Sequence, residues 1–540
     1  MGTFARKNRK LVGRTGIFFA LILLVVCVAA ATVSMRYHIV AGKFYPRNAV
    51  MLDLREETLK PGHYDKLRKK MPDCKIRWSI PFQGGTLADD AMEITITSLS
   101  EEDIGLLDYA VKLKNVQAEG CTDYENLTLL RQRRPEVAVN YSVAFSGGSY
   151  SWEVETLVLS SVAQEDIQLL KYLPNLKTVA LDAGSYDQKT VEALQDSVHK
   201  AGLKFGVVIG GDIRLDTEDS LEIEQITDEE LDLLPYLTGL EELLLQNPEA
   251  DSKKVFALRD QLTDVSVSWE VTLGEQTFDE TVTAVDLTMV EVTDLSEVEQ
   301  KMAYLPKLES VTFGLCGMDE PQWGNSRSKL TASPIENEAL AAYRDRVRED
   351  YKVVWTVRLG PSIALRTDAD NFMPNHFGVG QLPDNYAYNL RYCEEMVCLD
   401  VGHMTLTDIS FVEYMPDLKY LILAWTEVQY IEPIRSCKNL VFLELDHSCI
   451  RDLSPLVDCT ALEDLNLGMT YCSVDPILEM TWLKNVYMIL RGSAGIVGQA
   501  LPDTRVVTSA DPDAATVGYG WRRLPNYYAM RDCLNAPYMN

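Results

Sequence analysis

The chain has 540 residues and a formal net charge of −29 at pH 7, with 80 acidic residues against 51 basic ones. An acidic surface of this kind repels phosphate backbones, so we expect no nucleic-acid partner. The length also exceeds what one compact hydrophobic core supports, whereas a solenoid of stacked repeats can reach it by growing in one dimension.

The N-terminal residues are first basic and then apolar. Five basic residues and no acidic ones lie in the first 35 positions, and the 20 residues from Gly16 to Met35 carry no charge. Such a run is long enough to cross a bilayer core of about 30 Å as a helix. We therefore predict a cytoplasmic basic segment at residues 1–15, a transmembrane anchor at residues 16–35 and a stem at residues 36–48. A cleaved signal peptide is the alternative, because Ala29-Ala30-Ala31 offers a cleavage site.

Residues 49–360 carry a long period. An aromatic residue opens an alternating strand pattern that is followed by glycine, and the pattern recurs after 63, 64, 64 and 86 residues, at Trp78, Tyr141, Phe205, Trp269 and Trp355. Alternation closed by glycine predicts a strand that ends in a turn. A leucine-rich phrase and a helical pattern separate successive aromatic strands. We infer three coils in each long unit, and we predict that the region is a divergent arm of a solenoid.

Residues 392–490 repeat an apolar template every 22 residues. Met396-x-x-Leu399-x-Val401 is followed by copies that begin at Leu418, Leu440 and Leu462, and a last copy from Leu483 slips by one residue. A second apolar column contains Val412, Ile434, Leu456 and Leu478. Coincident columns at a fixed step predict stacked coils that bury their apolar sides against each other.

This phrase resembles a leucine-rich repeat. The runs Thr426-Glu-Val428-Gln-Tyr-Ile431-Glu-Pro433 and Ser448-Cys-Ile450-Arg-Asp-Leu453-Ser-Pro455 are similar to the 22-residue repeats of bacterial internalins. The resemblance is clear over residues 396–488 and divergent upstream. It implies an α/β leucine-rich-repeat solenoid, with parallel strands on one face and helices and loops on the other. It also implies an adhesion or recognition role and nothing finer, because a fold of this kind does not fix a function.

Two regions beside the regular repeats lack the period. Residues 361–391 are predicted to be an insertion loop, because Asp368 to Asp384 has no apolar period and contains prolines and glycines. Residues 491–540 are predicted to be a C-terminal cap, in which a strand at Thr504 to Val507 and a helix from Trp521 to Leu534 close the last coil.

Most of the 11 cysteines are predicted to be core residues rather than disulfide partners. Cys393, Cys437 and Cys459 lie three residues before the first apolar position of the template, and Cys472 lies in an apolar column. Cys398 and Cys449 fall at positions that the template predicts to be exposed. We expect Cys437 and Cys459 to be free thiols that pack side by side.

No catalytic, cofactor-binding or metal-binding residue is predicted. The sequence contains no phosphate-binding loop, no nucleophile elbow and no H-E-x-x-H motif. His403 and His447 share a repeat column but stand two coils apart, about 10 Å at the usual strand spacing. That distance is too long for two ligands that each lie about 2.0–2.2 Å from one ion. We therefore predict that the protein is not an enzyme.

The template also predicts which side chains leave the strand face. Residues that flank the inward leucines point outward, because side chains alternate along a strand. They combine aromatic, apolar and acidic groups, a mixture typical of binding hot spots. The predicted partner-binding residues are Tyr420, Ile422, Trp425, Phe442, Glu444, Asp446 and His447. The alternative is that the preceding loop or another segment of the chain covers this cluster.

Together these patterns predict a single-pass membrane protein with a cytoplasmic N-terminus and an extracellular body. Its strand face is predicted to bind a protein or glycan ligand. A component of cell-envelope assembly or scaffolding is the alternative function, and an unrecognised cell-wall hydrolase is a remote one.

Overall fold

The computed structural model describes residues 5–316, 332–360, 363–374, 381–489, 491–511 and 520–537. The chain divides into two compact units. The first consists of Met1–Leu221 with Ile226–Glu242, and the second consists of Glu222–Gln225 with Leu243–Asn540.

The chain begins with helix α1, Ala5–Arg36, which contains the predicted anchor. Its stretch Phe18–Arg36 is 19 residues long with a mean hydropathy of 2.7, so its length and composition allow it to cross a membrane. The predicted stem contains a hairpin of strands β1, Tyr37–Val40, and β2, Lys43–Pro46. Ala41 and Gly42 form its two-residue turn with φ of 52° and 80°, as a tight hairpin requires.

The long-period region continues with short strands and helices in alternation. In chain order its strands are β3 Met51–Leu54, β4 Lys75–Phe82, β5 Gly85–Ala88, β6 Glu93–Ile96, β7 Asn115–Ala118, β8 Ala138–Phe145, β9 Gly148–Ser151, β10 Thr156–Leu159, β11 Thr178–Leu181, β12 Lys204–Ile209, β13 Asp212–Leu215 and β14 Ser220–Glu224. The helices among them are α2 Pro61–Lys70, α3 Glu101–Leu107, α4 Tyr124–Arg133, α5 Gln188–Lys200 and α6 Asp228–Leu231.

Each long repeat of the first unit combines parallel strands with one returning strand. β6, β7 and β8 are parallel and β9 pairs antiparallel with β8, and β10 to β13 repeat this order. The three parallel strands correspond to the three coils inferred from the period. The sequence pattern does not predict the returning strand, which begins after the glycine turn. At Gly210 and Gly211 that turn has φ of 60° and 81°, a conformation that glycine adopts without steric cost.

The long period extends into the second unit. Its strands there are β15 Glu242–Gln246, β16 Ser266–Leu273, β17 Gln276–Asp279, β18 Ala284–Leu287, β19 Ser310–Cys316, β20 Ala332–Ser333, β21 Lys352–Arg358 and β22 Ala364–Arg366, with helices α7 Ser252–Gln261, α8 Leu295–Met302 and α9 Asn337–Val347. β18, β19 and β21 are parallel and β22 returns antiparallel beside β21, so this repeat has the same plan.

The 22-residue repeats form one parallel sheet of seven strands. The strands are β23 Asn371–Phe372, β24 Cys398–Asp400, β25 Tyr420–Ile422, β26 Phe442–Glu444, β27 Asp464–Asn466, β28 Asn485–Tyr487 and β29 Arg505–Val507, and the helices of this region are α10 Asp384–Ala387, α11 Ala494–Ala500 and α12 Pro525–Cys533. Leu421 pairs with Leu399 and Leu443, and all three are fully buried. The structure confirms the predicted leucine-rich-repeat solenoid.

The side of each coil opposite the strands is a short 3₁₀ turn. The turn begins at an acidic or hydroxyl residue followed by proline in three coils, at Glu432–Ser436, Ser454–Asp458 and Asp475–Glu479. Ile434 and Leu456 are buried there as predicted, but the next buried residue is Ile477 rather than Leu478. The one-residue slip therefore occurs before Pro476, within the coil, and not at the later copy of the template.

The predicted insertion loop contains the first strand of the regular sheet. Asn371 and Phe372 in β23 pair with Cys398 and Leu399, and Phe372 is buried. A strand of two residues is too short to produce an apolar period, so the sequence pattern does not reveal it. Residues 375–380 of the predicted loop lie outside the described residues.

The cysteine column is part of the core. Cys393, Cys437 and Cys459 are fully buried, as predicted. The Sγ atoms of Cys437 and Cys459 lie 3.7 and 3.5 Å from carbonyl oxygens of the preceding coil, at Val412 and Ile434. Burial raises the pKa of the Cys437 thiol to about 11, so it is neutral and unreactive at pH 7.

Candidate functional site

The predicted binding face is covered by the end of the chain. The C-terminal segment, which we define as residues 520–537, contains a 3₁₀ turn at Trp521–Arg523 and helix α12. Pro525 starts α12 at a position where the missing N–H costs nothing. The sequence predicts that this helix closes the last coil. In the structure the helix lies against the outward side of the strands instead.

Aromatic and apolar contacts hold the C-terminal segment on the strands. The ring centroids of Trp521 and Phe442 are 4.5 Å apart, and those of Trp521 and Tyr487 are 5.1 Å apart. Met530 lies in the same buried cluster, where its carbonyl oxygen is 3.8 Å from Cys398 Sγ. The outward column of these strands is therefore a second core rather than a solvated surface.

This packing covers much of the predicted binding cluster, as the alternative interpretation of the cluster expects. Phe442 and Ile422 are buried, and Tyr420 and Glu444 are partly buried. Cys398, which the template predicts to be exposed, is fully buried as well. The apolar side chains that leave the strands pack against the C-terminal segment, and Glu444 lies beneath its Trp521.

Several carboxylates lie beneath the C-terminal segment. Trp521 Nε1–H donates to Glu444 Oε2 at 2.8 Å, and Asn526 Nδ2 donates to Asp464 Oδ2 at 3.0 Å. Burial raises the pKa of Glu444 to about 7, and the nearby charges of Asp400 and Asp446 act in the same direction. Burial also raises the pKa of Asp400 and of Asp464. The segment thus covers acids that hold protons more tightly than exposed ones do.

Beside the covered area, one column of residues stays at the surface. His403, Trp425, His447 and Met469 each stand three positions after the last residue of a strand, and their φ angles are 62°, 56°, 55° and 54°. Each backbone N–H donates to a carbonyl of the next coil, for example from Trp425 to Asp446 O at 2.9 Å. This repeated hydrogen bond fixes the left-handed conformation in four successive coils.

The rings in this column stack on one another. The centroids of Trp425 and His447 are 3.9 Å apart with an interplanar angle of 12°, and those of His403 and Trp425 are 5.9 Å apart at 14°. His447 Nδ1 is 2.8 Å from Asp446 Oδ2, which holds the imidazole in place. We call His403, Trp425 and His447 the aromatic rim. Trp425 remains 53% exposed within it.

The structure therefore divides the seven predicted site residues. Trp425 and His447 meet at the aromatic rim, where the carboxylate of Asp446 contacts His447 but is itself buried, contrary to the predicted outward position. Tyr420, Ile422, Phe442 and Glu444 lie under the C-terminal segment. His403 also belongs to the rim. The sequence signal that indicates this is its position in the same repeat column as Trp425 and His447. A surface cavity beside His447 is lined also by Met469 and Tyr471, and no sequence signal marks Tyr471.

No part of the described chain brings together three or more His, Cys, Asp or Glu side chains that could hold a metal ion. The two histidines of the aromatic rim are separated by the indole of Trp425, which stacks on both rings. Their arrangement favours stacking on a flat group rather than coordination of an ion.

Comparison with known proteins gives similarity to solved repeat structures. No family model matches the chain. No curated protein sequence matches it either. Internalin C2 of Listeria monocytogenes is 14% identical over 51% of this chain and 84% of its own, with a TM-score of 0.18. Internalin InlF of the same species is 14% identical over 59% of this chain and 88% of its own, with a TM-score of 0.19. A leucine-rich-repeat protein of Leptospira interrogans is 13% identical over 76% of this chain and 93% of its own, with a TM-score of 0.21.

Proposed function

We propose that the chain is a membrane-anchored binding protein whose body lies outside the cell and whose aromatic rim contacts a protein or glycan ligand. The observation that carries the proposal is an exposed tryptophan in a left-handed backbone conformation, stacked between two histidines that share this conformation. No catalytic step is part of the proposal.

The left-handed backbone conformation at the aromatic rim is energetically costly for the bulky residues that occupy it. A bulky residue with positive φ costs about 1–3 kcal/mol, and glycine or asparagine would lower this cost. Outside the column of His403, Trp425, His447 and Met469, the non-glycine residues with positive φ in the described chain are alanine, glutamine and asparagine. Because strain of this kind concentrates at functional sites, the aromatic residues support a role in binding.

The chemistry of the rim suits a ligand with a flat or apolar surface. Indole and imidazole rings present large contact areas with few rotatable bonds, so little side-chain entropy is lost when they are covered. Exposed Tyr430 and Tyr471, at 65% and 85%, add aromatic groups to the same coils. A protein surface or the apolar face of a sugar ring could each stack on such a site.

Replacing Trp425 with alanine is expected to weaken ligand binding by at least about tenfold, because a central tryptophan commonly contributes about 2 kcal/mol or more to an interface. The folding free energy should change by less than about 1 kcal/mol, because the Trp425 side chain is half exposed and alanine leaves the backbone strain as it is. The measurement starts with crosslinking of the full chain in the membrane of the cells that express it. Titration of the captured ligand against purified variants then gives the affinities.

Two matched variants make this test decisive. Tyr414→Ala removes an aromatic residue of similar exposure, 46%, from a 3₁₀ turn opposite the strands, and it should leave binding unchanged. Leu443→Ala should lower the folding free energy by about 2–5 kcal/mol through a core cavity and leave binding by the folded fraction intact. The proposed site would be contradicted if the Tyr414→Ala variant failed to bind the ligand and the Trp425→Ala variant still bound it.

The anchor is tested by topology. The basic residues before Phe18–Arg36 favour a cytoplasmic N-terminus, since positive charges are retained on that side. Protease added to intact cells is expected to digest the body and leave a short membrane-bound stub. A body that resists protease until the cells are lysed would refute the external location, and a mature N-terminus at Thr32 would refute the anchor.

A further inference from the structure

We infer that Cys398 and Cys533 form a disulfide that fastens the C-terminal segment to the strand face. The bond would join the first residue of strand β24 to the last residue of helix α12. It does not depend on the proposed ligand or on the aromatic rim.

The two cysteines lie in the same packed interface. Cys398 is fully buried in the cluster beneath the C-terminal segment, and Cys533 packs against the same cluster from the helix side. The two thiols lie close enough for each to shift the pKa of the other. Met530, one helical turn before Cys533, also contacts Cys398 through its carbonyl oxygen. Helix α12 and strand β24 thus place their cysteines on the two sides of one packed interface.

The environments of the two thiols differ in a way that suits disulfide exchange. The hydrogen bond from Cys398 lowers the pKa of Cys533, and the charge of Lys419 acts in the same direction. Burial raises the pKa of Cys398, and Cys533 as its hydrogen-bond partner adds to the rise. Cys533 is also the more accessible of the two. Since the thiolate is the attacking species, Cys533 reacts first and Cys398 second.

The other close pair of cysteines serves as an internal comparison. Cys437 and Cys459 occupy neighbouring coils, yet each Sγ faces a carbonyl oxygen of the preceding coil rather than the other sulfur. Their side chains run in parallel, and a disulfide needs Cβ atoms that point toward each other. Proximity alone therefore does not distinguish the two pairs. Cys437 and Cys459 belong to one column of successive coils, whereas Cys398 and Cys533 lie on two elements that pack against each other.

The oxidant that the step needs is a low-molecular-weight disulfide. The Cys533 thiolate attacks one sulfur of that disulfide, which breaks the S–S bond and releases one small thiolate. The Cys398 thiol then loses its proton to that thiolate and attacks the Cys533 sulfur, which releases the second small thiolate. This thiolate takes up the proton that Cys533 lost before the first attack. In total, two protein thiols are oxidised, one small disulfide is reduced to two thiols, and one intramolecular S–S bond forms.

The test uses the full chain in detergent with oxidised glutathione as the disulfide. After acid quenching, unfolding and alkylation without reduction, peptide mapping should show one crosslinked pair, Cys398 with Cys533. Cys437 and Cys459 should be alkylated. Amide exchange in α12 should slow at least about tenfold on oxidation, because opening of the segment then requires breakage of a covalent link. A reductant should reverse both results.

Three outcomes would overturn the inference. The first is a stable glutathione adduct on Cys533 with Cys398 still free, which would show that the second sulfur cannot reach the first. The second is a different crosslinked pair. The third is a chain whose cysteines all remain free under conditions that oxidise a model dithiol peptide. The variant Cys533→Ser serves as the control, since it should abolish the crosslink without a change in the alkylation of Cys437.

Discussion

Trp521→Ala is expected to release the C-terminal segment from the strand face. Removal of a fully buried tryptophan costs about 3–5 kcal/mol, and here it also deprives the Glu444 carboxylate of its indole donor. The segment consists of only two short helical elements, so we expect it to detach before the solenoid unfolds. Amide exchange in α12 should become much faster, and a dye that binds apolar surface should report the exposed Phe442.

The size of this effect is checked against a second tryptophan of the same unit. Trp482 is partly buried and donates from Nε1 to the carbonyl oxygen of Cys459 at 3.1 Å, away from the C-terminal segment. Trp482→Ala should destabilise the coils and leave the protection of α12 nearly unchanged. If Trp521→Ala preserves that protection within a factor of about three, the segment is held by other contacts and our account of the interface is wrong.

The second large effect is a dependence of stability on pH that acts through Glu444. Its pKa is raised to about 7 in the folded protein from an ordinary value of 4.5, mainly by burial. Between pH 4.5 and about 7, Glu444 in the folded state therefore keeps a proton that it has released in the unfolded chain. The resulting stability is fully present below pH 4.5 and is lost as the pH rises through 7. At about 1.4 kcal/mol per pH unit, the loss between these limits is about 3 kcal/mol.

Glu444→Gln isolates this contribution. Glutamine keeps an oxygen that can accept from Trp521 Nε1–H, but it does not titrate. The difference between the unfolding free energies of the two proteins, measured by urea denaturation from pH 4.5 to 8, should grow with pH and level off above about pH 7. Asp400 and Asp464, whose pKa values are also raised, add a slope of the same sign in both proteins. A difference that is constant with pH would show that Glu444 does not titrate in this range.

The regular sheet could be predicted from the sequence because each coil repeats one local solution. The inward leucines lie at a fixed step, and the strand register follows from that step alone. The same logic locates Trp425 and His447 on neighbouring coils, where their rings stack. Local periodicity therefore suffices wherever a residue packs against its own copy in the next repeat.

The covered face could not be predicted because it depends on contacts between distant parts of the chain. Phe442 and Trp521 are 79 positions apart, and no repeat relates them. An outward aromatic residue on a strand is equally consistent with a ligand site and with an intramolecular core. The sequence signal that remains is an apolar side on α12, which Tyr527 and Met530 supply. That signal identifies a helix that must pack, but it does not identify the surface on which it packs.

The left-handed backbone conformation beyond each strand does not depend on which side chain the residue carries. A hydrogen bond to the next coil fixes the backbone at positions 403, 425, 447 and 469, and in all four coils it does so without glycine. Different side chains can therefore be exchanged at these positions on an unchanged framework, provided that the N–H donor is kept and proline is avoided. In this respect the column is comparable to the variable loops of an antibody. Combinatorial libraries at these four positions could redirect the scaffold to new targets.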